Sequence, residues 1–135
     1  MKKLFFCVIL SIVSIVSISA AENSDKVMRK ESDGTYIVNT TTLCNAKGFK
    51  GTTPVEVYIK KGIVTKVSPL SNGESPNYFL KVMKFLVPEF KNLKIKEAKK
   101  KVSEKIPDGC TGATLSTRAV QDNIKVALEY YEKHK

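Results

Sequence analysis

Histidine is nearly missing from this sequence. The one histidine among 135 residues is His134, next to the last position. A Ser–His–Asp or Cys–His centre therefore has no imidazole within the body of the chain, and a histidine-rich metal site is excluded. Cysteine is scarce too: Cys7, Cys44 and Cys110 are the only three. Cys44 and Cys110 alone make poor zinc ligation. Neither has a CxxC partner, so nothing marks a tuned redox thiol. No P-loop and no dinucleotide fingerprint occurs. The lysine-rich run from Lys91 to Lys105 has none of the interleaved aromatics that stack bases. There is no internal repeat and no long low-complexity tract.

What is present begins with an export pattern. Lys2 and Lys3 precede a stretch from Leu4 to Ile18 that is apolar apart from spaced serines, and Ser19, Ala20 and Ala21 are small. This is the three-part layout of a secretory signal, with cleavage predicted before Glu22. The competing reading is an uncleaved anchor, for which the run is slightly short. A lipoprotein is disfavoured, because Cys7 precedes most of the apolar run. The chain divides into a signal segment (1–21), a polar flexible leader (22–34) and one domain (35–135). Its predicted location is periplasmic or otherwise extracytoplasmic. Losing Lys2 and Lys3 lowers the net charge from +10 to +8, and about 114 residues remain, an ordinary size for one domain. Much of the excess charge lies between Lys91 and Lys105. That run is either a solvated helix face or a surface for an acidic protein or anionic lipid. Nucleic acid is not an expected partner outside the cell. In an oxidising compartment, Cys44 and Cys110 are a possible disulfide, worth about 4 kcal/mol in the chain-entropy model. The alternative is two free thiols with separate roles.

Residues 35–43 (TYIVNTTTL) are rich in β-branched side chains and read as a strand. Residues 45–51 (NAKGFKG) read as a turn. Val55, Val57 and Ile59 alternate with Glu56, Tyr58 and Lys60, which predicts a half-buried strand. Lys61 and Gly62 then form a turn into a second strand over 63–70, making a hairpin. Residues 71–76 (SNGESP) are loop chemistry. The period changes at Phe79, Val82, Met83 and Leu86, which predicts a helix ended by Pro88. Ile95, Ala98, Val102 and Ile106 mark a second helix. Val120, Ile124, Ala127, Leu128 and Tyr131 line a third, over 115–133. Strands followed by helices give an α+β fold: a small antiparallel sheet packed by about three helices.

Between the second and third helices lies Asp108-Gly109-Cys110-Thr111-Gly112-Ala113-Thr114. Small residues there allow close approach of a ligand. The first N–H groups of the following helix lack intrahelical partners and suit a phosphate. Local chemistry is equally that of an ordinary threonine N-cap.

The segment resembles the Asp-x-x-(Ser/Thr)-Gly-Ala-Thr motif of the FMN-binding domain family. That family includes the C subunit of the sodium-pumping NADH:quinone oxidoreductase and the G subunit of the Rnf complex. Its last threonine carries FMN through a phosphoester bond made outside the cytoplasm by a flavin transferase; the matching residue is Thr114. Leu115 and Ser116 continue like the family's helix start. Gly48-Phe49-Lys50-Gly51 is similar to its glycine-aromatic-x-glycine entry. Glu74-Ser75-Pro76 is similar to its glutamate-threonine-proline loop, with Ser75 in place of threonine and Asn77 in place of a common glycine. The resemblance spans roughly Tyr36 to Tyr131.

It implies a cofactor site made of Thr114, Asp108, Thr111, Gly112, Ala113, Leu115, Ser116, Gly48, Phe49, Gly51, Glu74 and Ser75. It implies FMN joined covalently to Thr114, and an electron carrier rather than a stand-alone catalyst. Its partners would be a redox protein or a membrane electron-transfer complex, with contact to a membrane surface available through Lys91 to Lys105. Asp108 either organises the loop or forms an Asx-type turn. Phe49 either packs on the flavin or plugs the core. The departures at Ser75 and Asn77 keep open an exported binding module with the same fold and no flavin. A small flavin-dependent reductase is the least favoured class, since no acid–base pair for one is evident.

Overall fold

Alternation builds the sheet. In the computed structural model, residues 27–135 are described. The predicted signal segment and the start of the predicted leader lie outside them. Strand β3 (Val55–Lys60) buries Val55, Val57 and Ile59 completely and leaves Glu56, Tyr58 and Lys60 half-buried. Period two has placed its apolar residues on the face that meets the helices. β4 (Ile63–Pro69) returns antiparallel across Lys61 and Gly62. Both turn residues have positive φ, 52° and 73°, as a two-residue type I′ hairpin requires. β2 (Tyr36–Asn39) pairs with the other edge of β3, β1 (Met28–Lys30) with β2, and β5 (Leu93–Lys94) with β4. The five strands form one antiparallel sheet in chain order, β1 to β5.

Three strands differ from the sequence reading, one of them the two-residue β5, which lies where no strand is predicted. β1 falls inside the segment predicted to be a flexible leader. It is a three-residue edge strand, half-buried to exposed, held by backbone pairing with β2 and by the Arg29–Glu56 ion pair at 2.9 Å. Edge pairing of that kind leaves no apolar alternation to read. β2 is shorter than the predicted strand and stops at Asn39. The Asn39 side-chain oxygen accepts hydrogen bonds from the Thr41 N–H at 2.9 Å and the Thr41 hydroxyl at 2.6 Å. Such local bonds offer the backbone a turn in place of a ladder.

Helix α1 (Pro76–Lys81) starts on a proline at its first turn and continues through a π turn (Val82–Leu86) into a 3-10 turn (Val87–Phe90). Phe79, Val82, Leu86 and Phe90 are its buried stripe. Met83, predicted to belong to that stripe, is 47% exposed, because the π turn breaks the 3.6-residue period there. Pro88 sits in the 3-10 turn, where the α-helix has already ended. Helix α2 (Ile95–Lys101) buries Ala98 and, just past its end, Val102. The predicted continuation to Ile106 is not helical: that residue lies in the connection to a 3-10 turn (Asp108–Cys110). Helix α3 (Thr114–His134) buries Val120, Ile124, Ala127, Leu128 and Tyr131 as predicted. Each of its larger aliphatic residues contributes about 1.5–3 kcal/mol by leaving water.

α3 packs on β2 and β3. Asn123 is the polar pin of that contact. Its Oδ1 accepts from the Thr40 hydroxyl at 2.6 Å, and its Nδ2 donates to the Ala119 carbonyl at 2.8 Å. The Thr40 oxygen in turn accepts from the Val55 N–H at 2.9 Å. This fixes the rotation and axial position of α3 against the sheet, and with them the place where its first turn emerges.

Candidate functional site

The start of α3 opens into a cleft of about 280 Å³ lined by Phe49, Ser75, Tyr78, Gly112, Ala113, Thr114, Leu115 and Ser116. The three segments singled out in the sequence, far apart along the chain, therefore share one cavity.

The first wall is the turn from Gly48 to Gly51, closed by the Gly48 N–H donating to the Gly51 carbonyl at 2.8 Å. Glu74 clamps it. Its Oε1 accepts from the Phe49 N–H at 2.7 Å and the Ser116 hydroxyl at 2.6 Å, and its Oε2 accepts from the Lys50 N–H at 2.6 Å. The Asn72 side chain presents Glu74 by accepting from its N–H at 3.0 Å. Glu74 is only 7% exposed. Burial pushes its carboxyl up, but the Ser116 hydroxyl and the backbone N–H groups of Lys50, Phe49 and Gly51 outweigh that, and the group is held below its ordinary value. It is a carboxylate at neutral pH. Gly48 is required beneath it: a Cβ there would fall on Glu74 Oε1 and lie 3.1 Å from the Ser116 Cα.

The second wall is the loop into α3. The Thr111 hydroxyl donates to the Asp108 carbonyl at 2.6 Å, and the Ala113 N–H donates to the Cys110 carbonyl at 2.8 Å. Gly112 has φ +88°, a conformation that suits glycine. Gly109 lies under the Phe85 ring, with Cδ1 2.6 Å from where a Cβ would stand. The Cys110 thiol is buried and points to the Lys81 carbonyl at 3.6 Å. α3 begins without a side-chain cap and without an acidic residue in its first turn. The Thr117 N–H is the first to find a helical acceptor, Ala113 O, so those of Thr114, Leu115 and Ser116 precede the hydrogen-bond ladder. The threonine-cap reading of this segment is thus not what the chain adopts.

Of the sequence-predicted residues, Phe49, Ser75, Gly112, Ala113, Thr114, Leu115 and Ser116 line the cleft. Gly48, Gly51, Glu74, Asp108 and Thr111 stand behind it as the frame. Asp108 serves the loop through its carbonyl. Phe49 is 70% exposed and so does not plug the core. The possible disulfide is not formed: Cys44 and Cys110 are both buried free thiols. Cys44 belongs to the turn after β2, its N–H donating to the Thr40 carbonyl, and Cys110 to the 3-10 turn before α3, its thiol facing the Lys81 carbonyl. Tyr78 and Lys81 were not anticipated. Tyr78 lines the cleft, and the Lys81 ammonium donates to the Thr111 carbonyl at 2.8 Å. Their signal was the i, i+3 spacing on the flank of α1, beside the apolar stripe.

No curated protein and no solved structure matches the chain. A family model, the FMN-binding domain, matches residues 48–129, which take in both walls, the whole cleft and most of α3. The chain belongs to the FMN-binding domain family and is a flavin-binding module.

Proposed function

We propose that the chain is an exported electron carrier that holds FMN covalently, by a phosphoester bond to the Thr114 hydroxyl. The observation that carries this reading is the placement of Thr114. It is an exposed threonine at the uncapped start of a 21-residue helix, on the wall of the cleft that all three family segments build. The residues fit the group. Unpaired N–H groups and the helix dipole favour a phosphate at that point, and Gly112 keeps side-chain bulk out of its path. Phe49, Tyr78 and Leu115 offer apolar surface for a ring system. The cleft is near the lower end of the roughly 300–1,000 Å³ usual for ligand pockets, so a covalent tether supplies retention that burial alone does not.

When bound, the flavin supplies the redox chemistry, and the protein supplies position and electrostatics. Thr114 is the attachment point. Forming the ester replaces its hydroxyl proton with the flavin phosphoryl group. A flavin transferase would make the bond from a donor, by class a flavin dinucleotide, whose nucleoside monophosphate leaves. Electrons would pass to and from a redox protein or a membrane complex. The lysine face is available for an acidic or membrane partner. Lys99 and Lys101 are drawn into ion pairs with Glu132, Glu89 and Glu104, while Lys91, Lys94, Lys96, Lys100 and Lys105 have no carboxylate within 4.0 Å among the described residues.

Intact mass of the mature protein, co-produced with a flavin transferase, tests the reading. The expected result is a mass raised by one FMN residue, with Thr114→Ala abolishing the increase and leaving unfolding unchanged. A folded, processed wild-type protein that gains no flavin under these conditions overturns it.

A further inference from the structure

The residues that line the cleft carry no charge. The nearest carboxylate, Glu74, is turned toward the Phe49 and Lys50 N–H groups and Ser116. A phosphate ester on Thr114 carries a negative charge at neutral pH, and its lining would answer with uncharged donors alone. One cation reaches the loop from outside the lining. On α1 and the π turn that follows, Tyr78, Lys81 and Phe85 lie along the loop: Phe85 over Gly109, Lys81 on Thr111, and Tyr78 near Gly112. The Lys81 ammonium is 3.5 Å from where a Cβ on Gly112 would stand and 5.8 Å from the centre of the Tyr78 ring. Among the described residues no carboxylate lies within 4.0 Å of it, and it donates to a neutral carbonyl, that of Thr111. An ammonium on a flexible stem gains more from a phosphate oxygen than from a carbonyl. Gly112 is two residues from Thr114 in the chain and puts no side chain beside that ammonium.

We propose, on the reading that Thr114 carries FMN, that Lys81 is the counter-cation of the phosphate ester and a positioning residue for the flavin. It holds the Thr111 carbonyl before loading and turns to the phosphate afterwards. The same ammonium then fixes where the tether leaves the protein, and it draws the anionic flavin donor toward Thr114.

The test uses the full mature chain, loaded by a flavin transferase, as wild type, Lys81→Gln, Lys81→Arg and the outer-face control Lys84→Gln. Intact mass first confirms FMN on Thr114. The rate of loading and the phosphorus-31 resonance of the ester are then compared. Lys81→Gln is expected to load about tenfold more slowly, the scale of a lost charge-assisted hydrogen bond, and to move the phosphorus resonance. Lys81→Arg restores both toward wild type, and Lys84→Gln changes neither. A wild-type resonance and loading rate in Lys81→Gln overturn the proposal. So does slow loading with an unmoved resonance, which reduces Lys81 to a support of the Thr111 turn. Wild-type protein that never acquires FMN defeats the flavin reading itself, a result the mass measurement separates from the others.

Discussion

The two walls of the cleft are held in opposite ways. The wall at Gly48–Gly51 is fixed from within, by one buried carboxylate that accepts two backbone N–H groups and a hydroxyl. The wall at Thr111–Thr114 is fixed from outside its buried face, by a local turn, a positive-φ glycine and the ammonium of half-buried Lys81. The first wall joins distant segments and touches α3 at Ser116, so its loss is felt across the site. The second is local and leaves its donors open, which is what a ligand needs. The wall that holds the site together and the wall that offers chemistry are different.

The largest effect that would break this contrast is at Glu74. Glu74→Ala leaves the Phe49 and Lys50 N–H groups and the Ser116 hydroxyl without their acceptor. With charged hydrogen bonds at about 1.5–3 kcal/mol each, and water entering to recover part of it, the expected loss is about 3 kcal/mol of unfolding free energy in urea. Next comes Gly48→Ala, whose Cβ would fall on the same carboxylate. Overpacking of this kind costs about 1–3 kcal/mol. Because the two residues share one contact, the double variant is expected to lose less than the sum of the singles. Additive losses would place the strain of Gly48→Ala elsewhere.

Acid sharpens the comparison further. The Glu74 carboxyl is held below its ordinary value of 4.5, so the unfolded chain binds that proton more readily than the folded one. Its contribution is fully present above pH 4.5 and is lost as pH falls through the lower folded value. Asp33 is also held low, by the backbone and side chain of Thr35, and adds its own acid dependence far from the cleft. Glu74→Gln should therefore flatten part of the stability decline on acidification, and Asp33→Asn a separate part. Urea midpoints from pH 6 to pH 3 measure both. An unchanged slope in Glu74→Gln would mean that the clamp does not depend on its charge.

How much of this was legible follows from where the signals lie. β3, its hairpin and α3 bury one face each, and period two or 3.6 writes that face into the residue order. β1 and β5 are short pairings made by backbone, which leave no such trace. Met83 and Ile106 continued an apolar rhythm that the π turn and the end of α2 interrupt. In the site, the glycines and threonines of both walls stood out because small residues cluster there. The burial of Glu74 did not, since an acid beside Gly73 in a polar loop reads as exposed. Lys81 was hidden for a related reason: lysine on a helix flank is the commonest solvated residue, and only the packing of α1 beside Thr111 and Gly112 gives it a neighbour.

The smallest effect expected separates the two kinds of wall most cleanly. Gly112 has φ +88°, yet a Cβ there would meet Lys81 Nζ at 3.5 Å and Tyr78 Cε1 at 3.9 Å, ordinary contact distances. Gly112→Ala therefore carries backbone strain without a clash, about 1–2 kcal/mol for a left-handed position, and an exposed loop can relax part of it. A loss near 1 kcal/mol in urea is expected, with slower flavin loading because the frame presenting Thr114 has shifted. Gly73→Ala is the control, since its Cβ would meet nothing within 4 Å and its φ needs no glycine. If Gly112→Ala behaves like Gly73→Ala in both measurements, the second wall is not held by its turn. The Lys81 contact to Thr111 would then be what keeps it in place.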